Sequence, residues 1–244
     1  MATTPEAYVH LSTDKTTLTF YYDTLRADRN GTTWGIRDWD AFFSCPAWAG
    51  DFNPRSTTVL TAVFDASFRD FRPTTTEGWF YELNLLERIE GLEHLNTSQV
   101  TSMGWMFKGC GSLTSLDLTR FDTSKVTSMS GLFSGCGSLT SLDLTCFDTS
   151  KVTDMRGMFE GCGSLTSLDL SSFDTSNVTD MRGMFYSCES LTTIYCNSSW
   201  SDRLSDDMFS GCNSLRGAAT NVGNSYDVSM ANPETGYFTK KVLS

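Results

Sequence analysis

"LTSLDLTRFDTSKVTSMSGLFSGCGS", Leu113–Ser138, runs directly into "LTSLDLTCFDTSKVTDMRGMFEGCGS", Leu139–Ser164, and then "LTSLDLSSFDTSNVTDMRGMFYSCES", Leu165–Ser190. The copies stay in register at a period of 26 residues, marked by cysteines at 110, 136, 162 and 188. A period of roughly 20 to 50 residues signals units that cannot bury an apolar face alone and stack on their neighbours. Weaker copies flank the strict ones. Cys212 lies in "MFSGCNSL", 24 residues after Cys188, and "WFYELNLLERIEGLEHLNTSQVTSM" precedes the first strict unit with Leu83 in the cysteine's place. Degenerate end units are expected, since each has a neighbour on one side only.

Within one unit the apolar pattern changes period. In "LTSLDL", Leu116 and Leu118 alternate with Ser115, Asp117 and Thr119, the pattern of a half-buried strand. In "TSKVTSMSGLFSGC", Val126, Met129, Leu132, Phe133 and Cys136 recur at three- and four-residue steps, the stripe of a helix. Thr123 or Ser124 would cap that helix at its start, and Gly135 or Gly137 would end it. A strand, a helix and tight turns fill the unit, so equivalent strands must lie parallel and side by side. The expected fold is an α/β solenoid: a right-handed leucine-rich-repeat coil with a parallel sheet on one face, short helices on the other and a β-rich N-terminal cap. Residues 75–215 form the solenoid, 1–74 the N-terminal cap and 216–244 a C-terminal cap.

The "LxxLDLxxFDTSxVTxMxxMF" phrase with its following Gly/Ser-Cys pair resembles the BspA-type leucine-rich repeat of bacterial surface proteins and lipoproteins. The resemblance extends more weakly to "TLTFYYD", "GTTWGI" and "VLTAVFDASFRDFRPTTTEGWFY" in front and "MFSGCNSLRG" and "GYFT" behind. It implies an exposed adhesive or interaction module, often part of a longer cell-surface protein, and names no ligand.

The caps are legible in outline. "YVHL" and "TTLTFYY" flank "STDK" as a hairpin, and "DRNGTT" supplies an Asn-Gly turn. "VLTAVF" would run beside the first repeat strand and shield the sheet's end from pairing with another molecule. Near Tyr237 and Phe238, "YFT" would close the last coil, after a loop in "RGAATNVGNS".

Composition bounds the partners. The 244 residues carry a net charge of -11, which repels nucleic acid and anionic membranes. The apolar stretches are far shorter than the roughly 20 residues of a membrane-spanning helix, and the first residues lack the pattern of a secretory signal. A cytosolic protein-protein scaffold of the same fold is therefore the alternative to a surface or secreted module.

Eight cysteines raise zinc and disulfides. Zinc ligands stand two to four residues apart, whereas the nearest pair here is Cys188 and Cys196. The ladder of Cys110, Cys136, Cys162, Cys188 and Cys212 falls once per coil. Helices packed roughly 8 to 10 Å apart exceed the roughly 7 Å Cα limit of a disulfide. The expectation is a row of buried free thiols, with Cys146, in the place of Arg120 and Ser172, as the exposed and most reactive one.

Asp117, Asp143 and Asp169 would stand in a row at the roughly 4.8 Å strand spacing. Catalysis by paired carboxylates needs two environments, and these are alike, so no enzyme and no cofactor is expected. Stacked carboxylates repel and would raise one another's pKa unless relieved by calcium, or by bonds to adjacent Ser or Thr hydroxyls. Sequons at Asn30, Asn96, Asn177 and Asn197 matter only in a glycosylating host.

What remains is surface. The outward rows are Ser115, Ser141, Ser167 and Thr193; Asp117, Asp143, Asp169 and Tyr195; and Thr119, Thr145, Ser171 and Asn197. They make one flat acidic face suited to a protein or glycan ligand, with Tyr195 as its aromatic anchor or as a shield for the sheet's end. Trp105 stands where later units have Gly131, Gly157 and Gly183, and is expected to pack under the cap.

Overall fold

The structure, a computed structural model, describes residues 4–40, 45–49, 58–201, 204–218 and 226–241. Part of the expected 216–225 loop, residues 219–225, lies outside them. The molecule is β-rich, and its helical segments are single 3-10 turns of three to five residues among the described residues.

The N-terminal strands are β1 (Glu6–Leu11), β2 (Thr17–Asp23), β3 (Thr32–Gly35), β4 (Trp39–Asp40), β5 (Cys45–Pro46) and β6 (Thr61–Phe64). β1 and β2 form the expected hairpin, pairing Val9 with Phe20 and Leu11 with Leu18, so one face buries these four side chains. At its turn Lys15 takes φ +63°, and the Asp14 carboxylate accepts from the Ser12 hydroxyl at 2.6 Å and the Thr16 amide at 3.1 Å. β3 returns along β1 through the Asn30-Gly31 turn. A Cβ on Gly31 would stand 2.4 Å from the Leu11 carbonyl, so only glycine fits there. β6 lies parallel to β2 and also parallel to β7 (Arg88–Glu90), in the first weak repeat. The cap is thereby continuous with the repeats in one five-stranded sheet of order β3-β1-β2-β6-β7.

In the strict units the structure departs from the expected helices. Residues 126–136 are a chain of overlapping turns: Leu132, Ser134 and Cys136 donate to the carbonyls three residues back, at 3.2, 3.1 and 3.0 Å. The intervening amides point at the next unit. Met129, Gly131, Phe133 and Gly135 donate to Asp154, Arg156, Met158 and Glu160 at 2.9, 2.7, 2.9 and 2.6 Å. Gly131 and Gly135 hold φ of +59° and +73° at the third positions of their turns, the conformation type II turns require. An α-helix cannot contain two such residues four apart. Parallel bridges join Thr75, Ser102, Ser128, Asp154, Asp180 and Leu204 in one uninterrupted file, so the continuous ladder runs on the side expected to be helical.

On the opposite side, β8 (Ser167–Asp169) and β9 (Thr193–Tyr195) pair in parallel, and β10 (Phe238–Thr239) adds to β9 as the expected closing strand. Leu118, Leu144 and Leu170 are buried there, while Leu116 and Leu142 are half-buried against the core.

The core is a column. Phe80, Phe107, Phe133, Phe159, Phe185 and Phe209 stack with centroids 5.4 to 5.8 Å apart and planes within 14°. Phe20, Phe64, Phe68 and Trp79 cluster at its start, and Tyr237 and Phe238 meet Phe209 at its end. Six rings, one per unit, couple the units through offset stacking and the burial of large apolar areas.

Candidate functional site

The residues of the expected acidic face differ in exposure. Ser115, Asp117, Thr119, Ser141, Asp143, Thr145, Ser167, Ser171 and Tyr195 are exposed, and Asp169 and Thr193 half-buried. Asp169 and Tyr195 are direct cross-strand partners, as are Ser167 and Thr193.

The carboxylates do not behave as an unrelieved row. Asp117 Oδ1 accepts from the Thr119 hydroxyl at 2.6 Å and its amide at 3.1 Å, and Asp143 Oδ1 does the same with Thr145 at 2.6 and 3.0 Å. The Thr119 hydroxyl, followed by its amide, holds Asp117 below the usual carboxylate range. The Thr145 pair does so for Asp143 and outweighs the opposing push from Asp169 and Asp117. For Asp169, burial pushes the carboxyl up, but the Lys241 ammonium and the Ser171 donors bring it below the usual range. Bonds to the adjacent Ser or Thr hydroxyls, one of the reliefs the sequence offers, outweigh mutual repulsion at Asp117 and Asp143, and Lys241 leads at Asp169. Among the described residues, no group of three or more His, Cys, Asp or Glu stands in metal-holding geometry.

The repeated polar residues are bound up in joining units. The buried Thr123 hydroxyl donates to the Asp148 carbonyl at 2.9 Å and accepts from the Asp148 amide at 2.8 Å. Thr97 and Thr149 do the same for Asp122 and Asp174. Thr101, Thr127, Thr153 and Thr179 each donate a hydroxyl to the equivalent carbonyl of the preceding unit, at 3.1 to 3.2 Å. Asp122 accepts from the Ser124 hydroxyl and amide at 2.6 and 3.0 Å. The "FDTS" phrase is thus a hydroxyl bridge plus a turn clamp, and Thr123 joins two units instead of capping a helix.

Other positions diverge between copies, which is where sequence reasoning missed a surface. Ser130, Arg156 and Arg182 are equivalent, as are Ser134, Glu160 and Tyr186. On the turn side Arg156, Glu160, Arg182, Tyr186, Asp206 and Asp207 line an open depression of about 450 Å³. Arg182 grips Asp180 there, its Nε 3.0 and 3.2 Å from the two carboxylate oxygens, and Tyr186 is exposed. Trp105 lies on this side too. It is 36% exposed, not under the cap, and its indole covers Gly131, where a Cβ would come within 2.5 Å of Cδ1.

Four of the five ladder thiols are buried, Cys212 is half-buried, and each sulfur is engaged. Cys110, Cys136, Cys162 and Cys188 donate to the carbonyls of Phe80, Phe107, Phe133 and Phe159 at 3.0 to 3.1 Å. Burial pushes the Cys162 thiol up to about 12. Cys146 is exposed, but its sulfur lies 3.3 Å from the Leu118 carbonyl and partial burial raises its pKa, against its expected place as the most reactive thiol.

Residues 106–222, just under half the chain, match the family described as "Mycoplasma protein of unknown function, DUF285". No curated protein matches the sequence. Among solved structures, a leucine-rich repeat protein of T. pallidum is similar at 18% identity, over 85% of this chain and 76% of that one, with a TM-score of 0.44. A leucine-rich cell surface protein of Faecalibacterium prausnitzii is similar at 13% identity over 87% of this chain, with a TM-score of 0.28. The match spans about half of that protein, 52% of its chain. Among the described residues, no helix is long and apolar enough to cross a membrane.

Proposed function

We propose that the chain is a non-catalytic, BspA-type leucine-rich-repeat solenoid that serves as an interaction or adhesion module on a bacterial cell surface. Its acidic face meets a protein or glycan ligand. The observation that carries the reading is the division of polar labour. Threonine bridges and backbone ladders between units hold the frame, which leaves Ser115, Asp117, Ser141, Asp143, Ser167 and Tyr195 pointing outward on a backbone that needs little ordering on binding. Residues 75–215 are the solenoid, between caps at 1–74 and 216–244.

The test is a glycan and protein array probed with the purified chain, followed by variants. Tyr195→Ala and Asp143→Asn should each weaken the ligand that emerges, while Leu25→Ala, on the far cap, should not. A ligand indifferent to both face variants would place binding elsewhere, the turn-side depression being the next surface to vary.

A further inference from the structure

The open depression of about 450 Å³ on the turn side is built by three successive units. Arg156, Arg182 and Asp206 stand in one row, one per unit, and Glu160 and Tyr186 in another. Asp207 occupies the place that Gly157 and Gly183 hold in the strict units. The volume falls in the roughly 300 to 1,000 Å³ range of small-ligand sites.

Its polar groups are set in place without a ligand. The Arg182 Nε donates to both Asp180 carboxylate oxygens at 3.0 and 3.2 Å and its Nη2 to one of them at 2.5 Å. That grip fixes the guanidinium plane and leaves its Nη1 edge without a hydrogen-bond partner among the described residues. The exposed Arg156 guanidinium and Glu160 carboxylate also have no hydrogen-bond partner among the described residues. Glu160 Oε2 lies across bare backbone, where a Cβ on Gly157 would come within 2.9 Å of it. Tyr186 is 41% exposed, and its ring packs on no other aromatic ring among the described residues.

Charge then selects the ligand class. Three carboxylates stand among two guanidinium groups, so an anion meets net repulsion and a cation meets the arginines. An apolar ligand would find one ring and charged side chains around it. A neutral polyhydroxylated ring suits every group present. Its C–H face stacks on the Tyr186 ring, and its hydroxyls accept from the guanidinium edges and donate to the carboxylates.

We propose that this depression is a binding site for neutral oligosaccharides, with Tyr186 as the stacking platform and Arg156, Arg182 and Asp206 as partners of the sugar hydroxyls. It lies on the opposite side of the coil from the acidic face, so the two surfaces are tested apart.

The experiment is calorimetric titration of the intact chain with linear tetrasaccharides of glucose, mannose and N-acetylglucosamine, beside a sialylated tetrasaccharide and tetralysine. At least one neutral sugar should bind. Tyr186→Ala and Arg156→Ala should each weaken it about tenfold or more, and Tyr186→Phe, which keeps the ring, should retain most of the affinity. Leu25→Ala, on the far cap, should change nothing. Arg156, Tyr186 and Leu25 are all exposed, so these variants should keep the unfolding midpoint of the parent chain. Neutral sugars that fail to bind, or that bind every variant equally, overturn the proposal. So does binding of tetralysine or the sialylated sugar alone, which would make the depression a charge site. A neutral sugar lost in Tyr195→Ala but kept in Tyr186→Ala also overturns it, and would leave the acidic face as the glycan surface.

Discussion

Along residues 113–119 of a strict unit, side chains alternate inward and outward as a strand's do, yet on that side strand pairing among the described residues is confined to β6 and β7 at one end and β8, β9 and β10 at the other. Along 127–135 the side chains follow a helix-like stripe, yet the backbone bonds unit to unit from Thr75 to Leu204. Apolar periodicity therefore reports which way side chains face, and not what the backbone does. A run of overlapping turns also returns to the same face every three to four residues, so it imitates a helix in sequence while its free amides bond sideways.

The contrast predicts unequal costs on the two sides. Phe133→Ala, in the middle of the ring column and fully buried, should cost about 3–5 kcal/mol in urea unfolding. Leu142→Ala, half-buried on the other side, should cost about 1 kcal/mol. Equal costs would erase the distinction. Next is the bridge between units. Thr149→Val keeps the shape but leaves the Asp174 amide and carbonyl without their hydroxyl, for about 1–3 kcal/mol. A neutral result would show that water replaces the bridge.

How much of this was written in the chain can be judged residue by residue. The core was legible: Val126, Met129, Leu132, Phe133 and Cys136 are all buried, because any regular path must hide them. The hairpin and both sheet closures were legible from strand pattern and turn residues. The turn ladder was not read, although a signal existed. Glycine recurs at 131, 157 and 183, inside each expected helix, where it costs about 1 kcal/mol per copy. The threonine bridges were invisible for another reason, since Thr123 serves the unit after its own and one copy read alone does not show its partner. Repulsion and hydroxyl bonding both stood open for the aspartate row, and at Asp117 and Asp143 the decisive donor lies two residues away rather than in the next coil.

A glycine pair tests the turn reading directly. Gly161 holds φ +69°, and a methyl added there would come no closer than 3.6 Å to Gly135, so strain is the whole cost of Gly161→Ala, about 1–2 kcal/mol. Two residues on, Gly163 has open space and no left-handed conformation, and Gly163→Ala should be close to neutral. Gly161 is equivalent to Gly135, where an expected helix would also end, so the deciding position is Gly157, inside that helix: it holds φ +59°, and Gly157→Ala should be destabilising where a helix would gain about 1 kcal/mol.

The smallest expected effect is at Asp143, and its sign separates bonding from repulsion. Asp143 has a lowered pKa in the folded chain, so its stabilising contribution is present above the unfolded value of about 3.9 and is lost as pH falls through the folded value. In Asp143→Asn the amide oxygen can still accept from Thr145, but a neutral acceptor bonds less strongly than a carboxylate. Stability near pH 7 should therefore fall slightly, and the loss on acidification below about pH 4 should become shallower, as followed by urea unfolding at several pH values. Repulsion would give the opposite sign at neutral pH. Of the two like charges on Asp143, Asp169 acts more strongly than Asp117, and Lys241 pairs with Asp169. Removing the countercharge sharpens the test. In a Lys241→Ala background the Asn substitution should become less costly or turn favourable, because Asp169 then repels Asp143 in full. If Asp143→Asn stabilises the chain while Lys241 is still present, the two Thr145 bonds are weaker than the repulsion, and like-charge crowding, not local bonding, governs the acidic face.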